Sequence, residues 1–329
     1  MAHGVTNQKE AGYRHKGAWH GLGEVWEGEL TPQQAHDRYM NFTVELSDDI
    51  VANFPGGSLA IEGKRALRRA GTNDIFQIVS DDYPMDQQPQ ILVDLAESLA
   101  NENSDIIVES CVSLFGGRKI FMLLHSGSYE IGTKGDLTHN YLLLSNGYDG
   151  LETLKGTPTN YRVECANMLA MALGLGSAFS FKHRAGLVDR VKFAKEALKN
   201  WKKQNEAFAV KANEMVKTPI SKENLEAFFV GVYKHVKGSI PDKETEADKY
   251  AKAQAHVARM VEIFDKESDK YGANQWIAGN AATQWVQKYS SNWRMNDDDY
   301  VNKEKEINRN YFGTGLKFTS QIMSHAATI

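Results

Sequence analysis

The sequence predicts an α+β protein, with an antiparallel sheet of at least three strands followed by a long helix, and a largely helical C-terminal half. Three observations support this prediction. Apolar runs separated by turn residues fill the first half of the 329-residue chain, strand signals nearly disappear after Gly176, and apolar residues then recur at helical spacing. A sheet-forming half followed by a helix-forming half is typical of α+β folds.

The predicted parts follow one another along the chain. Residues 1–45 are polar and rich in turn signals, and we interpret them as an N-terminal arm that ends in a short helix. Thr31 is the expected N-cap of that helix and Pro32 its first residue. Residues 46–180 are the predicted α+β core with its antiparallel sheet, and residues 181–329 are the predicted helical region.

Turn signals outline the elements of the predicted core. A turn at residues 71–74 is followed by a strand that ends near Ser80, and a helix begins after Pro89. Gly116 and Gly117 separate two apolar runs in the manner of a hairpin, and a later Asn-Gly dipeptide marks another turn. Successive strands joined in this way favour an antiparallel sheet.

The stretch 160–173, NYRVECANMLAMAL, is predicted to pass from the last strand of the core into a helix. Cys165 at that junction is either a nucleophile at a strand end or a small buried residue beside Arg162. No histidine stands at a recognisable local spacing to activate the thiol, and unpaired cysteines are mostly small buried hydrophobic residues. We therefore expect no catalysis by Cys165.

The C-terminal half carries helical signals. Apolar residues recur at alternating spacings of four and three from Leu187 to Trp201, which predicts one apolar face on a helix. Residues 241–270 mix acids and lysines with few strong apolar positions, which fits either a long exposed helix or a linker. Further helices are expected before the C terminus.

Composition narrows the class of protein. The chain is 42% hydrophobic and 24% charged, with a formal net charge of -4 and two cysteines, which is typical of a soluble globular protein without a disulfide framework. No apolar run approaches the about 20 residues of a membrane helix, and no signal peptide opens the sequence. We therefore expect a protein of the reducing cytoplasm, with no membrane partner.

Motifs for nucleotide and metal chemistry fail on spacing. The segment GGSLAIEGKR places five residues rather than four between Gly57 and Gly63, and Arg65 stands where a P-loop needs a hydroxyl. No CxxC pair or HExxH motif is present, and the acidic run 297–299 is more typical of a solvated loop than of a metal site. We predict no catalytic residue, no cofactor and no metal, and therefore no enzyme.

Positive charge is concentrated in one segment. Between Lys182 and Lys203 eight lysines and arginines stand against two acids, a local excess of six in a chain that is negative overall. The alternative interpretation is the solvated face of a packed helix. A smaller basic group at residues 64–69 precedes it, and together these groups predict contacts with nucleic-acid phosphates. The residues predicted to bind nucleic acid are Arg118, Lys119, Arg162, Lys182, Arg184, Lys192, Lys195 and Lys199.

Several segments resemble a family found in phages and plasmids and described as domain of unknown function 932. In family order they are WHGLGEVWEGELTPQQA, KRALRRAGTNDIFQIVSDDYPMDQQ, GGRKIFMLLHSG, HNYLLLSNGYDGLETLKGTPTNYRVECANML, FSFKHRAGLVDRVKFAKEAL, GNAATQWVQKY and FGTGLKF. The chain departs from the family where Tyr148 and Met168 replace the usual His and Thr. Because tyrosine does not do the work of an imidazole near neutral pH, no catalytic role is expected at position 148. The resemblance implies a mobile-element setting and names no activity.

The predicted order of a helix, three antiparallel strands and a long helix also resembles single-strand annealing proteins of the RecT and Red-beta kind. Those proteins hold a DNA strand by its backbone in a positive groove of an oligomeric ring and leave the bases free to pair. The resemblance implies binding of single-stranded DNA, a role in annealing and recombination, and a homo-oligomer in the form of a ring or filament. We expect the N-terminal arm to pack on a neighbouring subunit.

Two other functions stay open. An interaction protein would bind a host factor, such as a component of defence or replication, and would show no affinity for DNA. A metal-dependent nuclease would use Asp297, Asp298 and Asp299, and it is the function that the sequence favours least.

Overall fold

The protein is described from a computed structural model. The structure describes residues 10–14, 23–102, 106–162, 167–170, 179–183, 201–290, 300–311 and 313–329. The chain divides into two compact units, and each is assembled from separate parts of the sequence. The first unit comprises residues 1–126, 142–157 and 177–201, and the second comprises 127–141, 158–176 and 202–329. The helical C-terminal region therefore shares a unit with two strand-forming stretches from the first half.

The strands form a larger and a smaller sheet. Their bounds are β1 Ala11–Tyr13, β2 Glu24–Val25, β3 Val44–Phe54, β4 Gly57–Arg69, β5 Ile75–Ser80, β6 Ile107–Leu114, β7 Lys119–Ile131, β8 Asp136–Gly147, β9 Leu154–Arg162, β10 Asn167–Ala170 and β11 Phe179–Phe181. The larger sheet has the order β10-β9-β8-β7-β6-β1-β2, and β11 also pairs with β9. The smaller sheet has the order β3-β4-β5. In each sheet most strands lie beside their neighbours in sequence, as hairpin connections require.

The helices fall mostly after residue 200. Their bounds are α1 Pro32–Tyr39, α2 Gln90–Glu102, α3 Trp201–Lys217, α4 Lys222–Lys237, α5 Ala247–Tyr271, α6 Gln275–Lys288, α7 Tyr300–Tyr311 and α8 Thr314–Ala326. The predicted α+β class, with an antiparallel sheet and a largely helical C-terminal half, is confirmed. The stretch within 241–270 that fitted either a helix or a linker is the helix α5.

Local signals placed several element boundaries correctly. Thr31 caps α1 with a reciprocal pair of hydrogen bonds, because its Oγ1 accepts from the Gln34 backbone N at 3.2 Å while its own N donates to Gln34 Oε1 at 2.9 Å. Pro32 is the first helical residue, as predicted. The glycine pair forms the turn between the antiparallel strands β6 and β7, and Gly117 has a φ of 100°, a left-handed value that favours glycine.

The predicted helix after the last strand is wrong where the structure describes it. Residues 167–170 form β10, which pairs antiparallel with β9 from Asn167 opposite Arg162 to Ala170 opposite Thr159. Met, Leu and Ala all favour helices, but the neighbouring strand offers hydrogen bonds along its length, and such tertiary context overrides a weak local preference. Cys165 lies outside the described residues.

The interpretation of residues 1–45 as an arm is also wrong for their described part. Strand β1 pairs with β6 in the larger sheet, and Trp26, Ala35 and Tyr39 are buried in the core of the first unit. The Trp26 and Tyr39 rings stack with centroids 5.5 Å apart. A few large side chains bury this segment even though most of its residues are polar, so average polarity was a poor guide to its location.

Each unit has its own apolar core. In the first unit, α2 buries Leu92 and Leu95 among strand residues such as Met122 and Leu144. In the second unit, the C-terminal helices bury Trp276 and other aromatic side chains. The Trp276 indole N–H donates to Asp136 Oδ2 at 2.8 Å, so a carboxylate that is 1% exposed has a hydrogen-bond partner inside this core.

Candidate functional site

The residues predicted to bind nucleic acid are described only in part. Arg118 and Lys119 lie at the β6–β7 turn, and Lys182 directly follows β11; all three belong to the first unit. Arg162 is the last residue of β9, in the second unit, and only its backbone is described. The other predicted residues, Arg184, Lys192, Lys195 and Lys199, lie outside the described residues.

Lys119 is buried and ion-paired within the protein. Its side chain is 8% exposed, and its Nζ lies 3.6 Å from Asp149 Oδ2 and 3.5 Å from Glu152 Oε1. Lys155 approaches the other oxygen of Glu152 at 2.8 Å. A lysine whose charge is balanced inside the fold is poorly placed to bind a phosphate in solvent, so these contacts disfavour the prediction for Lys119.

Three arginines of the earlier basic group are also engaged within the chain. Arg65 pairs with Asp49, Arg68 with Glu45 and Arg69 with Glu10, at 2.7 to 2.9 Å. The Arg69 guanidinium also lies 4.5 Å from the centre of the Phe42 ring. These contacts balance the positive charge that the sequence alone assigned to a phosphate surface.

Two of the predicted basic side chains are exposed. Arg118 donates from Nη2 to the Ile75 carbonyl oxygen at 2.9 Å, which fixes one end of the guanidinium while the residue stays accessible to solvent. Lys182 is exposed at the end of β11 and is the first residue of the basic segment 182–203. Of the predicted residues whose side chains are described, these two are accessible to a ligand.

A polar cluster fixes the chain next to Lys182. His183 Nε2 lies 2.7 Å from Asn146 Oδ1, and His183 Nδ1 lies 2.9 Å from the Tyr83 hydroxyl. Because an amide oxygen only accepts, Nε2 is the donor, and Nδ1 accepts from Tyr83. Two residues before Lys182, in strand β11, Ser180 Oγ lies 2.7 Å from Thr153 Oγ1.

Burial keeps His183 neutral. Desolvation lowers the pKa of His183 to about 4, although the carboxylates of Asp86 and Asp149 act in the opposite direction. Burial likewise raises the pKa of Tyr83 to about 12. At neutral pH the imidazole therefore accepts one hydrogen bond and donates another, which orients the chain but contributes no positive charge.

Tyr148, at the position where the resemblance implied a histidine, is a core residue. Its side chain is fully buried, its hydroxyl donates to the Gln87 carbonyl oxygen at 2.9 Å, and its ring stacks on Phe76 with centroids 5.7 Å apart. Burial raises the pKa of the Tyr148 hydroxyl. Through these contacts Tyr148 packs in the core and holds the loop after β8 in place.

A reactive cysteine and a metal site have little support among the described residues. Cys111 is buried, and desolvation raises the pKa of its thiol, which disfavours the reactive thiolate. Within the described residues, no three His, Cys, Asp or Glu side chains come together as metal ligands. The acidic run 297–299 lies outside them. Among the helices that the structure describes, none is both long and apolar enough to cross a bilayer.

Comparison with known proteins then identifies the family. A family model described as Domain of unknown function (DUF932) matches residues 75–311. The chain belongs to the DUF932 family. The searches of curated proteins and of solved structures found no match. The DUF932 resemblance is thus confirmed, while the analogy to RecT and Red-beta proteins gains no support from solved structures.

The residue that sequence reasoning missed in this DUF932 chain is His183. It lies within the matched range and between Lys182 and Arg184 in the segment FSFKHRAG. This position could have indicated a separate role for His183, because a uniformly charged helix face would carry a lysine or an arginine there. Its partners Tyr83 and Asn146 are 100 and 37 residues away in sequence, so no local spacing indicated the cluster.

Proposed function

We propose that this DUF932 protein binds single-stranded DNA through the backbone phosphates, with the basic segment 182–203 as the main contact. The observation that carries the proposal is the excess of six positive charges within this segment of a chain whose net charge is -4. A concentrated positive segment attracts a polyanion even when the whole molecule is acidic.

The ion pairs of the first unit narrow the proposed surface. Lys119 and the arginines at positions 65, 68 and 69 are balanced by carboxylates. Phosphate binding by those residues would require breaking existing pairs. The proposal therefore drops buried Lys119, and it keeps Arg118 and Lys182, which are exposed, together with the basic residues of segment 182–203.

The polar cluster supports the proposal by fixing the start of the segment. His183 bonds to both Tyr83 and Asn146, and Ser180 bonds to Thr153, so the chain on both sides of Lys182 is held to the first unit. A fixed lysine loses less side-chain and backbone freedom when it binds a phosphate than a lysine on a free segment does.

Backbone binding of this kind leaves the bases free. Phosphate contacts position a strand without reading its sequence, and a bound strand with accessible bases is the state from which annealing proceeds. We therefore propose a non-enzymatic role in annealing or recombination, in a phage or other mobile element and in the cytoplasm of its host. The proposal requires no cofactor.

The test is a titration of labelled single-stranded DNA at several salt concentrations. In the test variant Lys192, Lys195 and Lys199 are all changed to Glu. In the matched control three exposed lysines of the helical region, Lys217, Lys222 and Lys243, are changed in the same way. Each set alters the net charge equally.

We expect the wild type to bind at low salt, with log K falling linearly as log salt rises. Loss of three phosphate contacts makes this slope shallower by about 2 in the test variant, whereas the control keeps most of the wild-type slope. The proposal fails if the wild type does not bind at low salt. It also fails if both variants lose affinity equally, because net charge alone would then explain binding.

A further inference from the structure

A cavity of about 290 Å³ opens between helices α4 and α8, which both belong to the second unit. Positions three or four apart on a helix share a face, so two successive turns of each helix contribute to its wall. The lining residues are Gly231, Val232, His235, Gln321, Ile322 and His325. None of these residues takes part in the proposed DNA contact.

The floor of the cavity is apolar, and a glycine leaves room above it. Val232 and Ile322 are each only 2% exposed. A Cβ atom at Gly231 would have no neighbour within 4 Å among the described residues. Glycine is unfavourable inside a helix, and here the side chain that it lacks leaves the volume of the cavity open.

Two imidazole rings stand at the rim, and each is held by a phenylalanine. The His235 ring meets the Phe318 ring edge to face, with centroids 5.2 Å apart. The His325 ring lies against the Phe228 ring, with centroids 5.5 Å apart and planes tilted by 43°. Because these contacts restrict the rotation of both imidazoles, a ligand loses less binding energy in ordering them.

The rim offers hydrogen-bond donors. His235 Nε2 donates to Gln321 Oε1 at 2.9 Å, because an amide oxygen only accepts. This bond leaves the two N–H groups of the Gln321 amide without an acceptor among the described residues. The His325 ring likewise makes no hydrogen bond to the described part of the chain, and an imidazole carries at least one N–H in either charge state.

The charge around these donors is not acidic. The two segments that form the cavity, residues 227–240 and 313–328, contain no Asp or Glu. They do contain Lys234 and Lys317, which are both exposed. The acids of α4, Glu223 and Glu226, come before these turns, and at about 100° per residue they project more than about 100° away from the cavity face.

The last residue, Ile329, is the other source of negative charge close in sequence. Its oxygen accepts a hydrogen bond from Gln275 Nε2 at the start of α6, and neither residue lines the cavity. Donors without an acid beside them favour a ligand group that accepts hydrogen bonds and carries negative charge.

The volume of the cavity restricts the ligand to a small molecule. Ligand pockets usually enclose about 300–1,000 Å³, so a volume of about 290 Å³ is at the lower end of this range. A helix with its side chains is about 10–12 Å across, which is too wide for this cavity. One ring with a short acidic arm fits, and the two imidazoles at the rim favour an aromatic ring, because aromatic rings pack favourably on one another.

We propose that the cavity between α4 and α8 binds a small aromatic carboxylate. The aromatic ring packs on Val232 and Ile322 in the space that Gly231 leaves, and the carboxylate accepts hydrogen bonds from the Gln321 amide and the His325 imidazole. The inference goes beyond DNA binding and does not depend on it, since the site uses no residue of the basic segment 182–203.

The test titrates the full-length protein with phenylacetate and with phenethyl alcohol, its uncharged analogue. Proton–carbon correlation NMR spectra follow the imidazole Cε1–H signals, and His235→Gln and His325→Phe assign the two signals of the rim. Gly231→Leu fills the cavity. The matched control is Ala251→Leu, which adds a leucine at an exposed position of α5. Thermal unfolding of each variant verifies that it remains folded.

We expect phenylacetate to bind the wild type and the control with a Kd of roughly 1 mM, a value typical of so small a ligand. It should shift the His235 and His325 signals before those of the other histidines. Phenethyl alcohol should bind at least about fivefold more weakly, because hydrogen bonds to a charged group are about twice as strong as neutral ones.

The variants separate the two halves of the site. Gly231→Leu should bind neither probe and should remain folded, because leucine favours helices more than glycine does. His325→Phe keeps the ring and removes its N–H, so its affinity for phenylacetate should fall about fivefold while its affinity for the alcohol stays unchanged. DNA binding by Gly231→Leu stays unchanged, which separates this result from failure of the proposed function.

Three outcomes overturn the inference. If phenylacetate at millimolar concentration shifts neither the His235 nor the His325 signal of the wild type, the cavity does not bind aromatic carboxylates. If Gly231→Leu binds phenylacetate as tightly as the wild type, the ligand occupies another place. If the acid and the alcohol bind the wild type equally, the rim does not recognise the carboxylate.

Discussion

The first unit buries charge in one region and exposes hydrophobic side chains in another. In the loop after β8, the carboxylate of Glu152 is 8% exposed and lies between Lys119 and Lys155. At the distal end of the β3–β4 hairpin, Phe54 and Leu59 are more than half exposed. Charged groups are usually exposed and large apolar groups usually buried, and both regions depart from this rule. In the loop, contacts within the chain compensate the buried charge.

The difference separates structural residues from binding residues. A buried charge is tolerated when opposite charges and hydrogen bonds compensate its desolvation, and the loop after β8 provides them. An exposed apolar face has no such internal compensation. The Lys119 charge is therefore balanced within the fold, whereas the apolar side chains of the hairpin stay in contact with solvent.

Truncation of two leucines of strand β4, one buried and one exposed, should give the largest difference in stability. Leu67→Ala removes a fully buried side chain and should lower the free energy of unfolding by about 2–5 kcal/mol. Leu59 lies at the exposed end of the hairpin, and Leu59→Ala should change the free energy of unfolding by less than about 0.5 kcal/mol. Urea denaturation measures both. A large loss for Leu59→Ala would mean that Leu59 is part of the folded core.

The charge cluster gives the next largest effect. Lys119→Met leaves the Asp149 and Glu152 carboxylates with less compensation, and we expect a loss of about 3 kcal/mol in the free energy of unfolding. Lys134→Met in the β7–β8 connection is the control, because Lys134 is exposed and should change stability by less than about 0.5 kcal/mol. Chemical denaturation compares the two. Equal stability of both variants would show that the ion pairs of Lys119 do not stabilise the fold.

The pH dependence of the free energy of unfolding gives the smallest of these effects. It depends on two groups, His183 and Glu109, that act in opposite directions. Burial lowers the pKa of His183 to about 4, so its neutral form is favoured in the fold. That penalty is absent above pH 6.5, and it accumulates as pH falls toward 4 because the unfolded imidazole takes up a proton first. Burial raises the pKa of Glu109 to about 7, although Arg14 acts against this. The penalty for Glu109 is complete above pH 7 and is relieved as pH falls toward 4.5.

These two contributions should largely cancel in the wild type between pH 6.5 and 4.5. In Glu109→Gln the histidine acts alone, and stability should fall by about 2 kcal/mol between pH 6.5 and 4 relative to the wild type. In His183→Gln the glutamate acts alone, and the same acidification should increase stability relative to the wild type. Denaturation curves across this pH range measure both differences. Parallel pH profiles for the wild type and both variants would contradict the assignment.

Sequence reasoning succeeded where the signal was local. The capping pair of Thr31 and Gln34 joins residues three apart, and the turn at Gly116 and Gly117 depends on backbone conformations that glycine adopts freely. The helix α5 was one of two interpretations of a charged segment, because a weak apolar pattern does not distinguish a surface helix from a linker. Strand β10 was missed because its Met, Leu and Ala residues favour helices until β9 lies beside them.

The amino-acid sequence by itself determined the α+β class, several element boundaries, the family and the concentration of charge between residues 182 and 203. Only the tertiary structure decided which charges are balanced and which apolar residues are covered. Lys119 and Glu152 are 33 residues apart, and Tyr83 and His183 are 100 residues apart. Local preferences act over a few residues, whereas burial and ion pairing depend on segments that approach one another only after folding.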